Sequence, residues 1–154
     1  MPYSPLLVKP MREELTQAGV KELLTPADVD AFMNERSGTA LLVVNSVCGC
    51  AAGMARPGVR LALQHERRPD RIASVFAGQD LEATAKARAY LAEIPPSSPS
   101  LAFFKDGELV YFIPRHRIEG RDAHAVAHDL TAVFDEHCAA PETASAAAPA
   151  AGAR

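Results

Sequence analysis

Two cysteines separated by a single glycine, Cys48 and Cys50, are the residues of this sequence best placed to do chemistry. They follow the apolar run 41–44, which is typical of a buried strand, and they precede an alanine-rich stretch with helical spacing. A cysteine in the first turn of a helix faces unpaired backbone N–H groups and the positive end of the helix dipole, which lower the thiol pKa. Because the thiolate is the reactive form, the pattern predicts a catalytic or redox-sensing thiol pair.

Other interpretations of these cysteines stay open at the level of sequence. Cysteine is among the most buried residue types, so the pair could belong to the core. A metal site built from Cys48, Cys50 and His116 is conceivable because thiolates suit zinc and copper(I), but a structural zinc site normally has four ligands and no second close cysteine pair exists. Cys138 ends the last predicted helix, and we expect it to be a structural thiol.

Length and composition indicate a single domain over residues 1–138. The chain has 154 residues, of which 48% are hydrophobic and 23% charged, enough for one ordinary core. A net charge of -3 and the lack of a long apolar segment argue against nucleic acid and membrane as partners. The start does not resemble a signal peptide and the cysteines form no secreted-type framework, so we expect a reducing cytoplasm. Residues 139–154 are rich in alanine and proline, and we expect disorder there.

The elements around the cysteines alternate between helices and strands. After an irregular, proline-punctuated lead-in, the spacing predicts helices over 11–18, 26–36, 50–67, 80–94 and 121–137, and strands over 39–45, 71–77, 101–104 and 109–113. Pro57 and Gly58 should kink or split the helix that follows Cys50. Alternation predicts parallel strands, whereas Asp106-Gly107 predicts an antiparallel hairpin. The result is an α/β fold with a central mixed sheet and helices on both faces.

Two sequence stretches carry a resemblance to known proteins. A buried strand ending in a close cysteine pair, a proline-interrupted helix and the run Pro-Ser-Leu-Ala-Phe-Phe-Lys-Asp-Gly-Glu at 99–108 resemble the thioredoxin fold, which places that family's cis-proline at Pro99. More narrowly, Asn-Ser-Val-Cys-Gly-Cys-Ala-Ala-Gly at 45–53 and Phe-Ile-Pro-Arg-His-Arg-Ile-Glu-Gly at 112–120 resemble the bacilliredoxin family of bacterial thiol-disulfide oxidoreductases. The resemblance covers roughly residues 1–138.

The resemblance implies a specific thiol exchange. Cys48 would attack the mixed disulfide between a protein cysteine and bacillithiol, accept the bacillithiol and free the protein thiol, and Cys50 would resolve the adduct. S-bacillithiolated or oxidised proteins are then the partners, bacillithiol is the thiol co-substrate, and no metal or nucleotide cofactor is implied. Gly49 would let the two sulfurs approach, and Ser46 is either a helix N-cap or an active-site hydrogen-bond donor. Whether the protein is a homodimer stays open.

The sequence departs from thioredoxin in two ways that keep other functions open. Its cysteines are separated by one residue instead of two, and the apolar run 41–44 lacks the buried carboxylate that thioredoxin keeps before its active site. Proton transfer at Cys50 therefore needs another route. The alternatives are a general protein disulfide reductase or isomerase, and a non-catalytic thiol module that binds a metal or senses oxidant.

A cationic cluster near the end of the hairpin is the candidate site for the small thiol. The return strand of an antiparallel hairpin ends beside the start of the first strand, so Arg115, His116 and Arg117 should arrive near Pro99 and the cysteines. Arg56, on the active-site helix, is a further candidate. Bacillithiol carries a malate group, and arginine binds carboxylates through paired charge-assisted hydrogen bonds. For each arginine, a solvated surface position is an equally open interpretation.

Overall fold

A five-stranded mixed sheet forms the centre of the computed structural model, which describes residues 2–140. Its strands are β1 (Lys21–Glu22), β2 (Thr39–Asn45), β3 (Arg71–Phe76), β4 (Ser100–Lys105) and β5 (Glu108–Ile113), in the spatial order β1-β3-β2-β4-β5. β3 runs parallel to β1 and β2, whereas β4 is antiparallel to both β2 and β5. The predicted mixed sheet is confirmed, and only the two-residue edge strand β1 was not predicted.

Helices cover both faces of this sheet, as the alternation predicts. They are α1 (Pro5–Thr16), α2 (Pro26–Asn34), α3 (Arg56–Ala62), α4 (Leu81–Ala89) and α5 (Ala123–His137). One core contains Leu15 of α1, Val59 of α3 and Phe134 of α5. The opposite core contains Phe32 of α2 and Ala87 of α4. Neither face of the central strands is left to solvent.

The strand that leads to the cysteines is buried along its whole length. All seven residues of β2 are buried between β3 and β4. Leu41 and Val43 belong to one core, and Leu42 and Val44 belong to the other, because successive side chains of a strand point to opposite faces. This explains the continuous apolar run. Because β2 is held on both sides and both faces, it fixes the position of the residues that follow Asn45, including the two cysteines.

The first helix begins earlier than the sequence predicts. The proline-punctuated lead-in is α1 from Pro5 onward, because the Ser4 hydroxyl accepts a 3.2 Å hydrogen bond from the Leu6 N–H and Pro5 occupies the first helical position. Pro10 lies inside the helix. Burial of Leu15 in the core anchors the helix despite the hydrogen bond that Pro10 cannot donate.

The helix after the cysteines is split, as predicted. A π-helical turn spans Ala51–Ala55, and α3 then runs from Arg56 to Ala62, ending short of the predicted residue 67. Pro57 lies in the first turn of α3, where a missing N–H is tolerated. A Cβ atom at Gly58 would lie 2.8 Å from Cγ1 of Val126, so α3 and α5 pack too closely for any larger residue there.

Two other helices test the predicted inward faces. In the helix predicted over 80–94, the spacing predicts that Leu81, Ala85, Tyr90 and Leu91 face inward. This prediction is largely wrong, because only Leu91 is buried and the other three residues are exposed. The helix instead packs through its small side chains, Ala83, Thr84 and Ala87. For α5 the predicted inward residues Val126, Leu130, Val133 and Phe134 are all buried.

The disorder predicted for the tail falls mainly on 141–154, outside the described residues. Across residues 2–140, no helix is both long and apolar enough to cross a membrane.

Candidate active site

Cys48 lies at the carboxyl end of β2, at the start of the turn that precedes α3. Its Sγ is 3.1 Å from Oγ of Ser46, and the backbone N–H groups of Ala51 and Ala52 each donate a 3.1 Å hydrogen bond to its carbonyl. Partial burial is the largest influence on the Cys48 thiol and disfavours its thiolate. Hydrogen bonds from Ser46 and from backbone N–H groups, with the charge of Arg115, outweigh it, so the pKa of Cys48 lies below the ordinary thiol value.

Cys50 has the opposite character. Its Sγ donates a hydrogen bond to Oε2 of Glu119 across 3.5 Å. Burial, this carboxylate and the charge of the Cys48 thiolate raise the pKa of Cys50. Both cysteines are free thiols. The two thiols are therefore shifted in opposite directions: Cys48 ionises more readily than an ordinary thiol, and Cys50 less readily.

Glu119 supplies the carboxylate that the strand before the active site lacks. It follows the 3₁₀ turn Arg115–Arg117, and its Oε2 lies 3.4 Å from Nε of Arg115. Sequence reasoning quoted this residue but gave it no role. The four-residue spacing from Arg115 was the available signal. Its pairing with Cys50, 69 residues away in sequence, required the folded structure.

Arg115 reaches the cysteines by the route that the hairpin predicts. Val44 pairs with Ser100 and Leu101 with Ile113. The last residues of β2 and β5 and the first residues of β4 therefore lie together at one end of the strands. The Ser98–Pro99 peptide bond is cis, as the resemblance implies. Arg115 donates a 3.2 Å hydrogen bond from Nη1 to the Ser98 carbonyl and lines the same cleft as Cys48.

His116 and Arg117 are exposed and do not line that cleft. Arg117 donates from Nη2 to the hydroxyl of Tyr111 at 3.1 Å and lies 3.9 Å from Oδ2 of Asp129, which directs it toward α5. Within residues 2–140, no three His, Cys, Asp or Glu side chains lie close enough together to hold a metal ion, so His116 does not join the two cysteines.

Arg56 does not fit the substrate-binding role predicted for it. Only 2% of the residue is exposed. Its Nη1 donates to Oδ1 of Asn45 at 2.9 Å and to the Ser46 carbonyl at 2.7 Å, while its Nε pairs with Glu14 at 2.9 Å. Asn45 Oδ1 also accepts the Ser46 N–H at 2.8 Å. Arg56 therefore holds the loop that positions Ser46 against Cys48, and it is not among the residues that line the cleft.

Gly49 and Cys138 complete the set of residues singled out from sequence. Gly49 is exposed, and apart from its chain neighbours no atom of the described chain lies within 4 Å of where a Cβ atom would stand. The role predicted for Gly49, to let the two sulfurs approach each other, stays a prediction. Cys138 is buried at the end of α5, and burial raises its pKa. This environment agrees with a structural thiol.

Comparison with known protein families identifies the chain at the level of family. The family model described as "Disulphide isomerase" matches residues 3–138. A bacilliredoxin of Halalkalibacterium halodurans is 55% identical over 136 residues, which cover 88% of this chain and 94% of the relative. A bacilliredoxin of Cytophaga hutchinsonii is 55% identical over 134 residues, covering 87% of this chain and 98% of the relative.

Solved structures show the same fold at low sequence identity. Thioredoxin from Fasciola hepatica superposes with a TM-score of 0.53 at 23% identity, covering 77% of this chain and 99% of that one. An oxidised thioredoxin from Arabidopsis thaliana superposes with a TM-score of 0.54 at 16% identity, covering 78% of this chain and 95% of that one. With a thioredoxin fold and relatives that are bacilliredoxins along most of its length, the chain belongs to the bacilliredoxin family and is a thiol-disulfide oxidoreductase.

Proposed function

We propose that the protein removes bacillithiol from S-bacillithiolated protein cysteines by thiol exchange at Cys48. The observation that carries this proposal is the difference between the two thiols: Cys48, which contacts the Ser46 hydroxyl and has a lowered pKa, lies two residues from Cys50, which contacts Glu119 and has a raised pKa. Thiol exchange needs one thiolate to attack and a second thiol in reserve. The relatives named bacilliredoxin support bacillithiol as the small thiol.

In the first step, the Cys48 thiolate attacks the bacillithiol sulfur of the mixed disulfide. The sulfur–sulfur bond to the substrate protein breaks, a new bond forms between Cys48 and bacillithiol, and the substrate cysteine leaves as a thiolate that takes a proton from water. The Ser46 hydroxyl, 3.1 Å from Cys48 Sγ, and the charge of Arg115 stabilise the attacking thiolate.

In the second step, Cys50 gives its proton to Glu119 and attacks Sγ of Cys48. Bacillithiol leaves as a thiolate, and a Cys48–Cys50 disulfide remains. Two further bacillithiol molecules return the pair to the dithiol and become bacillithiol disulfide, so the electrons come from the small thiol. Because this cycle starts from reduced cysteines, we place it in the cytoplasm.

A direct test mixes the reduced protein with a substrate protein that carries one S-bacillithiolated cysteine, followed by intact-mass spectrometry. We expect the wild type to strip the substrate, Cys48→Ser to leave it modified, and Cys50→Ser to strip it once and retain the bacillithiol on Cys48. Cys138→Ser is the matched control and should behave as the wild type, because that thiol is buried.

Reduction or isomerisation of protein disulfides is the second candidate, which the description of the matching family model favours. The same experiment with a substrate protein that holds one intramolecular disulfide separates the two. Turnover of that disulfide without removal of bacillithiol would replace the proposed function by the second candidate.

A further inference from the structure

A cleft of about 270 Å³ opens beside the Cys48 thiol. The residues that line it include two arginines, Arg88 and Arg115, and three residues whose side chains carry hydroxyls: Tyr3, Ser46 and Ser98. Among the described residues that line it there is no aspartate or glutamate. The lining of the cleft therefore carries two cationic residues and three hydroxyl-bearing residues, while Glu119, which pairs with Arg115 at 3.4 Å, is not part of the lining. This lining suits an anionic ligand.

Arg88 is the part of this wall that sequence reasoning missed. It lies in the last turn of α4, and within residues 2–140 its half-buried side chain makes no hydrogen bond or ion pair. Other half-buried arginines are paired: Arg12 holds Asp80 at 2.8 Å and Arg121 holds Asp129 at 2.7 Å. A guanidinium that makes no hydrogen bond within the described residues and belongs to a residue lining the same cleft as Cys48 is available to a ligand.

The N-terminal segment forms part of the wall of the cleft through Tyr3. The Tyr3 N–H donates to Oε1 of Gln79 at 2.7 Å, and Nε2 of Gln79 donates back to the Tyr3 carbonyl at 3.1 Å. The Tyr3 ring lies over Gly78, with Cε2 3.6 Å from where a Cβ atom would stand. Since Gln79 directly precedes the N-cap of α4, the two walls of the cleft are tied together before any ligand enters.

We propose that Arg88 and Arg115 form a carboxylate-binding subsite that recognises the small-thiol half of the mixed disulfide. The ligand class is a low-molecular-weight thiol that carries carboxylates; naming it bacillithiol rests on the proposed function. Its sulfur lies at Cys48 while its carboxylates face the two guanidinium groups. An arginine fork binds a carboxylate through two parallel charge-assisted hydrogen bonds, so the pair selects anionic thiols over neutral ones.

The two arginines differ in their relation to the thiol. Arg115 is a cation whose charge lowers the pKa of Cys48, whereas Arg88 is not among the groups that shift it. Substitution of Arg115 would change both reactivity and recognition. Arg88 is thus the residue whose substitution isolates recognition.

The first test compares two chromogenic disulfides in stopped-flow reactions with the reduced full chain: dithiobis-nitrobenzoate, which carries carboxylates, and neutral dithiodipyridine. We expect Arg88→Ala to lower the rate constant for dithiobis-nitrobenzoate, divided by that for dithiodipyridine, by roughly three- to tenfold. This is the effect of losing one partly exposed charged contact. Arg88→Lys should recover part of it. Arg68→Ala, which removes one exposed arginine charge elsewhere, should leave the ratio unchanged. An equal ratio in Arg88→Ala and wild type overturns the subsite.

The second test decides which half of the mixed disulfide is recognised. One substrate protein carries either bacillithiol or cysteamine, which has no carboxylate, on the same cysteine. We expect Arg88→Ala to slow removal of bacillithiol more than removal of cysteamine. An equal slowing would mean that Arg88 contacts the substrate protein and would overturn the proposal. If the wild type leaves the bacillithiol form untouched, the proposed function fails, and the reagent ratio alone decides the subsite.

Discussion

Arg56 donates a 2.9 Å hydrogen bond from Nη1 to Oδ1 of Asn45, and this contact joins the helix after the active site to the strand before it. The same Asn45 oxygen accepts the N–H of Ser46, whose hydroxyl contacts Cys48. A buried guanidinium therefore supports the reactive thiol without touching it. Its contribution can be measured separately from the chemistry.

Replacing Arg56 should destabilise the fold. Arg56→Ala removes one of the two hydrogen bonds that Oδ1 of Asn45 accepts and takes the guanidinium away from the Ser46 carbonyl in a buried site. We expect the free energy of unfolding to fall by about 2–3 kcal/mol in urea titrations. Arg68→Ala, at an exposed arginine, should change it by less than about 0.5 kcal/mol. Equal losses in the two variants would contradict the supporting role.

Removing the Ser46 hydroxyl should raise the pKa of Cys48. In Ser46→Ala the thiolate loses a hydrogen bond that stabilises it, so the midpoint of iodoacetamide alkylation moves to higher pH. Near neutral pH the alkylation rate should fall about fivefold, as expected for one hydrogen bond to a charged acceptor. At a pH where the thiol is fully ionised in both proteins the difference should vanish. Ser37→Ala, in an exposed loop, serves as the control. If Ser46→Ala showed the same pH dependence of alkylation as the wild type, Ser46 would have no role in stabilising the thiolate.

Glu119→Gln should slow the release of bacillithiol from Cys48. The variant loses the base that takes the Cys50 proton, and we expect resolution to slow by about tenfold or more near neutral pH. The carboxylate also raises the pKa of Cys50, so its loss should lower that pKa, and the slowing should shrink in alkaline solution, where Cys50 ionises without a neighbouring base. The lifetime of the Cys48 adduct, followed by mass spectrometry at several pH values, gives both the rate of resolution and its dependence on pH. Glu108→Gln, exposed on the hairpin, is the control. Faster resolution in Glu119→Gln would mean that Glu119 only keeps Cys50 protonated.

The three thiols should react with iodoacetamide in a fixed order. Cys48, with its lowered pKa and partial exposure, should be alkylated first at mildly acidic pH, and Cys138 should stay unmodified until the protein unfolds because burial raises its pKa. Peptide mapping after short exposures gives the order. Alkylation of Cys138 ahead of Cys48 would reverse the assignment of the reactive thiol.

Local signals in the sequence were sufficient for most of the fold. The helix predicted from residue 26 begins at Pro26, where the Thr25 hydroxyl accepts the Asp28 N–H at 3.1 Å, and Asp106-Gly107 forms the predicted turn between two antiparallel strands. β1 escaped prediction because two residues carry no periodicity, and its pairing with β3 is a tertiary contact. The face of α4 was mispredicted because small residues make its contacts, and a pattern of large apolar residues does not reveal them.

The site was predictable only where its residues adjoin the cysteines or follow from hairpin geometry. Ser46 and Arg115 lie where sequence reasoning placed them. Glu119 and Arg88 come from distant elements, so no local pattern pairs them with the cysteines. The burial of Arg56 depends on Glu14, 42 residues earlier in the sequence, and a sequence pattern does not encode that contact.

The 69-residue separation between Cys50 and Glu119 means that the thiols acquire their different characters only on folding. A chain in which residues 115–119 have not folded against the cysteines lacks the Arg115 charge at Cys48 and the Glu119 contact at Cys50. Completion of the sheet lowers the pKa of one and raises the pKa of the other two cysteines. Folding therefore activates the thiol pair: the lowered pKa of Cys48 belongs to the folded protein, and efficient thiol exchange is expected only from molecules that have reached the native state.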